Sequence, residues 1–415
     1  MFPTHGEAMC KGEKMMEGKL KSSKSSRWRT IIIVLLVVLA AAVAWGGYKI
    51  YPFVKAAPIA EAEAEAMMAN YNEIASEIEN RPAADREAFE KLAGQWKERL
   101  KAVEDRTPQF DKCPALPEGF GLETEPFLIE FSKFSGAVAG IVDDGFVWKQ
   151  EFSFDAEIMN FLQIRQWAYW EIASAYLDAK SDKSIEAMVK VNRVKNVVAT
   201  MYETPILIHM MMGVAIESIM YRGMAASIPH LNEEELSQMA NSFQDQSNIT
   251  EAFRAAIKME TVWVSNNLEQ LKNKPDPDVV QQMTDINIPK PMRSLIVKAY
   301  SKFLSHRERN FYLALVRNTL AMVDSGEISE DPPWVEFNEG GYRSFTALVM
   351  WPNYSKLFKR AQAVRTRRTN FIKALRSEAA LSSEERMAER TYPYDDKSTL
   401  HIGPEIGCVR KDANP

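Results

Sequence analysis

A charge-free apolar run from Ile31 to Ala44, continued by Trp45, Gly46, Gly47 and Tyr48, constrains this 415-residue chain more than any other feature. Such a stretch reaches the length of about 17 to 20 residues that a bilayer-spanning helix requires. Lys11, Lys14, Lys19, Lys21, Lys24, Arg27 and Arg29 precede it, whereas only Lys49 and Lys55 follow closely. Cations flanking a span stay on the cytoplasmic side, so the amino end is expected in the cytoplasm and everything past Tyr48 outside it. Trp28 before the run, and Trp45, Tyr48, Tyr51 and Phe53 at its far end, are suited to the two membrane interfaces. A cleaved signal peptide is the rival reading, since Ala42-Val43-Ala44 offers small residues for cleavage before Trp45. The long basic leader, and apolar character that persists past that point, favour an uncleaved anchor. A buried core helix fits poorly with a run that is apolar on all sides.

The expected address is therefore the inner, cytoplasmic membrane, crossed once, with a periplasmic or otherwise extracytoplasmic body. That body has material for a core, at 46% hydrophobic and 26% charged residues. Net charge is -5 although the leader is cationic, so the remainder is acidic and lacks the broad positive footprint of a nucleic-acid binder. Cys10 falls on the cytoplasmic side of this topology. Cys113 and Cys408 share the exported side, where they form the one candidate disulfide.

Beyond the span the patterns predict a mainly α protein, an all-helical exported domain built of hairpins or a bundle. The organisation reads as a basic cytoplasmic tail (1–30), a transmembrane signal-anchor (31–48), a membrane-proximal helical hairpin (57–106) and an irregular linker (107–152). A helical core domain (153–326), a C-terminal basic helical segment (327–390) and an irregular tail (391–415) follow. The hairpin rests on the helix formers from Ala60 to Glu79 and on Pro82, which suits the first turn of a second helix. Pro108, Pro114, Pro117 and Pro126 break all periodicity from Thr107 to Pro126, while the apolar stretch from Phe127 to Phe152, with Gly136, Gly140 and Gly145, leaves a helix pair and a short strand excursion both open. In the core, Phe161, Ile164, Ala168, Ile172 and Ala175 keep the spacing of one buried helix face, and Ile185, Met188, Val191, Val194, Val198 and Met201 keep another. Asn232 with Glu235, flanked by Leu231 and Leu236, is a capping box with a hydrophobic staple; Asn248 with Glu251 and Ser382 with Glu385 repeat the cap.

The residues from Trp167 to Val198 combine Ala173, an Ala175-Tyr176-Leu177 helix end, a Ser181-Asp182 turn and an Ile185-Glu186-Ala187 restart. This stretch resembles a tetratricopeptide hairpin, although the repeat's turn glycine is replaced near Lys180 or Ser181 and no second copy follows at the repeat's period. The wider layout resembles that of uncharacterised bacterial single-pass envelope proteins. The resemblance implies an interaction role, a groove presented to a peptide or an envelope protein partner.

No phosphate loop, zincin histidine pair or nucleophile elbow is present, which lowers the expectation of an enzyme. Met201, His209, Met210, Met211, Met212, Met220 and Met224 have the chemistry of soft metal ligands. Three consecutive methionines point in different directions around a helix, however, so core packing is the better reading and neither metal nor cofactor is expected. Asp143-Asp144 reads as a turn, and His306-Arg307-Glu308-Arg309 as an exposed charged surface. Lys356, Lys359, Arg360, Arg365, Arg367, Arg368, Lys373 and Arg376 give the last helix a basic surface. Solvation, pairing with an acidic helix such as that of Glu233 to Glu235, and docking of an anionic lipid or glycan compete for it. Lys359, Arg360, Arg365, Arg367 and Arg368 are the candidate anion- or partner-binding set. The function expected is an envelope binding or scaffolding module, with an enzyme or ligand-binding domain for envelope glycan or anionic lipid as the alternative.

Overall fold

A computed structural model describes residues 55–80, 86–102, 125–142, 161–244, 248–273, 305–327, 353–403 and 408–411, with Lys298 and scattered positions from Val37 to Tyr51. The chain forms two units, one of Met1–Ala56 with Glu336–Ser344, the other of Ala57–Val335 with Phe345–Pro415. In the first unit every described residue of the apolar run is helical and exposed: Val37, Val38, Ala40, Ala41, Ala44, Trp45, Gly47 and Tyr48. The rest of the run, and the basic tail before it, lie outside the described residues. No helix among the described residues is long and apolar enough to cross a membrane.

The second unit is mainly helical, in keeping with the α class expected. Among the described residues its α-helices are α1 (Glu61–Glu79), α2 (Arg86–Ala102), α3 (Glu125–Val142), α4 (Phe161–Lys180), α5 (Ser184–Glu203), α6 (Leu207–Met224), α7 (Glu233–Gln244), α8 (Ile249–Asn273), α9 (Ser305–Ser325), α10 (Tyr354–Ala379) and the single turn α11 (Ser383–Arg386). α4 and α5 form the hairpin that the two periodic series predict, burying Ile164, Ala168, Ile172 and Ala175 on one side and Val191, Val194, Val198 and Met201 on the other. At their turn Asp182 takes the left-handed conformation, φ 57°, that a repeat glycine would otherwise supply. α6 lies across both helices instead of opening a second hairpin. Its approach is close at Gly213, where a Cβ would stand 2.8 Å from a ring carbon of Tyr202.

Aromatic rings join the later elements. Tyr221 of α6, Phe243 of α7 and Phe371 of α10 meet with centroids 4.8 to 5.8 Å apart, and Phe253 of α8 stacks on Phe358 of α10 at 5.3 Å. Burying such side chains contributes roughly 1.5–3 kcal/mol each, which fixes α10 against three helices at once. The capping boxes at Asn232 and Ser382 are both formed, the former through bonds of 2.8 and 2.9 Å, with Leu231 and Leu236 buried beneath it. Asn248 caps α8 by accepting from the Thr250 amide, and Asn353 caps α10 by accepting from that of Lys356.

Three segments differ from the sequence reading. α1 packs on α8 and α9 and not as one arm of a hairpin, with Glu61 bonded to Arg309 (2.6 Å) and Asn310, and Glu63 to Arg317 (2.8 Å). α2 sits instead with α3 and α4, its Trp96 stacked on Phe134 at 4.8 Å. The stretch assigned to the linker contains α3, a helix where the sequence left helix and strand open from Phe127 on, and it buries Phe131, Phe134 and Val138. The tail read as irregular is a three-stranded antiparallel sheet, β1 (Arg390–Asp395), β2 (Ser398–Ile402) and β3 (Cys408–Lys411), in the order β1-β2-β3. Ser398, Leu400 and Ile402 alternate inward along β2, and β1 rests on α10. Pro393 is tolerated because β1 is an edge, where a missing N–H costs no ladder bond. Between residues 274 and 304 only Lys298 is described, and it is helical.

Candidate functional site

The five cations singled out on the last helix divide into two groups. Arg367 and Arg368 turn inward and are held by carboxylates. Arg367 pairs with Asp395 at 2.7 Å and lies over the Tyr394 ring, tying α10 to the end of β1. Arg368 donates from Nε and Nη2 to the two oxygens of Glu217 at 2.7 and 3.0 Å. Glu217 belongs to the apolar helix α6 and is fully buried, and it also accepts from the hydroxyls of Tyr202 and Tyr221. Burial, and then the Glu217 charge, push both tyrosines well above the ordinary phenol range. Four donors on one buried carboxylate satisfy it completely, so this cluster is a bolt between α5, α6 and α10. The acidic partners of Arg367 and Arg368 are thus Asp395 and Glu217, not the Glu233–Glu235 helix that the sequence offered as an example of such pairing. Arg376 reaches Gln244 on α7.

Lys359, Arg360 and Arg365 are exposed, as are Lys356 and Lys373. No acidic residue occupies the first turn of α10, so Lys356, Lys359 and Arg360 stand against the positive end of the helix dipole. They form the surface most suited to an anionic group.

A second cluster was not singled out by sequence. Glu260 on α8 is half-buried, and among the described residues neither an ion pair nor a hydrogen bond compensates it; burial alone pushes its carboxyl up to about 7. Seven residues on, and so on the same face, Asn267 is 6% exposed with neither its Nδ2 nor its Oδ1 hydrogen-bonded. Tyr312 of α9 and Tyr354 of α10 lie beside Glu260, their hydroxyls 3.4 Å apart; burial raises both, and the Glu260 charge adds to it. The available signal was polar residues at positions of an apolar stripe, Phe253-Ile257-Glu260-Val264-Asn267.

The remaining sequence candidates are distributed elsewhere. Met201, Met210, Met220, Met224 and His209 are buried in the core. Among the described residues no three His, Cys, Asp or Glu side chains gather as metal ligands. His306 and Arg309 both reach Glu61, at 3.5 and 2.6 Å, while Glu308, expected on an exposed surface, is fully buried beside Arg307. Cys408 lies in β3; Cys113 and Asp143-Asp144 lie outside the described residues. No protein family, no curated protein and no solved structure matches the chain.

Proposed function

We propose that this protein is a membrane-anchored helical binding or scaffolding module of the cell envelope, crossing the inner membrane once and working on the extracytoplasmic side. The observation that carries the reading is the apolar run: its described residues are helical yet exposed, Trp45 at 66% and Tyr48 at 75%. Apolar helical surface left out of a protein core calls for another apolar medium, and lipid supplies one. The basic leader sets the direction of insertion. The body supports a binding role over a catalytic one because its conspicuous buried charge cluster, Glu217 with Arg368, Tyr202 and Tyr221, is closed by its own hydrogen bonds. Protease added to spheroplasts tests the topology, with a tag at each end. Loss of the carboxy-terminal tag with retention of the amino-terminal one is expected; survival of both until lysis would refute it.

A second reading, a domain for an anionic envelope glycan or lipid, draws on the exposed Lys359, Arg360 and Arg365. Charge reversal at these three, with the fold intact by circular dichroism, would abolish binding of anionic vesicles under that reading and leave a crosslinked protein partner in place under the first.

A further inference from the structure

We propose that the solvent face of α10 docks on an anionic phospholipid surface, lying lengthwise along the headgroups. Every exposed position of this helix holds a cation or a hydroxyl: Lys356, Lys359, Arg360, Arg365, Lys373 and Arg376 carry charge, and Thr366, Thr369 and Ser377 stand between them. The single acid of α10, Glu378, is fully buried and bonded to Arg390 and Tyr392. Glu251 and Asp324, at the adjoining ends of α8 and α9, are both taken by Arg254. Glu327, next to the Gly326 carbonyl that accepts from Gln362, sets one negative charge against six positive. Arg367 and Arg368 pair within the fold, and the outward six concentrate positive charge on a chain whose net charge is -5.

The shape and composition of this face define what it fits. From Lys356 to Arg376 the helix runs about 30 Å. Lys359, Thr366 and Lys373 recur at every seventh residue and so share one line along it, with the other cations to either side. A straight, convex line of this length meets a plane along its whole extent. A protein partner is anchored by aromatic and apolar side chains, and a small sugar by a concave, largely apolar site. No exposed position of α10 is apolar or aromatic. Its apolar side, with Phe358, Phe371 and Leu375, is already buried in the core, so the contact is made with headgroup phosphates and without insertion. Lysine, arginine and hydroxyl groups all donate to phosphate oxygens. The proposal rests on the second reading above, that the basic surface receives an anionic envelope component, and commits that reading to lipid.

Flotation of the full-length protein with added vesicles tests the assignment, its apolar run being held in phosphatidylcholine nanodiscs. Lys11, Lys14, Lys19, Lys21 and Lys24 are changed to Gln in every sample, so that the leader does not contribute. Co-flotation is expected with vesicles of phosphatidylglycerol and phosphatidylcholine, none with phosphatidylcholine alone, and release at about 1 M salt, where the screening length falls to about 3 Å. Lys356→Glu, Arg360→Glu and Lys373→Glu together should reduce the bound fraction at least fivefold with circular dichroism unchanged. Lys101→Glu, Lys133→Glu and Lys183→Glu, the same change of charge at exposed positions elsewhere, should not. Equal flotation with neutral vesicles, none with anionic ones, or the same loss in both triple variants would overturn the proposal. Should the α10 variant fail to fold, the wild-type comparison of the two vesicles and the milder pair Arg365→Gln and Lys373→Gln decide the matter. Heparin, a soluble anionic glycan, separates the proposal from the reading beneath it. Heparin capture that needs the α10 cations, without vesicle binding, overturns the lipid assignment and keeps the reading; failure of both probes overturns both.

Discussion

Two glutamates on neighbouring helices show how far the surroundings of a residue set its behaviour. Glu217 is fully buried and satisfied by an arginine and two tyrosines, so removing the arginine leaves an uncompensated charge. Arg368→Ala is expected to cost about 3–5 kcal/mol in urea unfolding. Arg365→Ala, three residues earlier and exposed, should stay within about 0.5 kcal/mol. Glu260 acts in the opposite sense. Its folded pKa of about 7 exceeds the ordinary 4.5, so between those values the folded protein keeps a proton that the unfolded chain has lost. Its contribution to stability is therefore fully present below pH 4.5, declines as pH rises, and is lost above pH 7, a change of about 3 kcal/mol. Urea unfolding at pH 5 and pH 8 should show this decline, and Glu260→Gln should remove it.

At the scale of elements, the helices were legible wherever an apolar period and a cap coincided. Asn232 and Glu235 announce α7, and the bonds are in place; Asn232→Ala should cost about 1 kcal/mol in a thermal or chemical melt. α4 and α5 were readable from their buried faces. What escaped was decided by tertiary packing. α3 contains Gly136 and Gly140, which blur a helical signal, and it is held by Phe131 and Phe134 against Trp96. The strands are four to six residues long, too short for a clear alternation, and Pro393 is at home in a strand only at an edge, which sequence does not disclose. The inward turn of Arg367 and Arg368 was equally hidden, because their partners lie 28 and 151 residues away. Gly213 gives a sharper test of the α5–α6 contact. Gly213→Val must displace the Tyr202 ring and its bond to Glu217, with an expected loss of about 1–3 kcal/mol.

For the whole molecule, the membrane reading places its demand on the apolar run and none on the helical body. Replacing Ile31–Tyr48 by a polar linker should release the protein from the membrane fraction while the helical content of the body, read by circular dichroism, persists, since that body is a separate unit of the chain. The sheet at the end of the chain carries a wider consequence. One margin is β1, with Pro393 and a break in register before Asp395, and the other is β3, ending in Arg410 and Lys411. Both margins repel a foreign strand. Copies crowded together on a surface would thus be hindered from stacking into fibrils through this sheet.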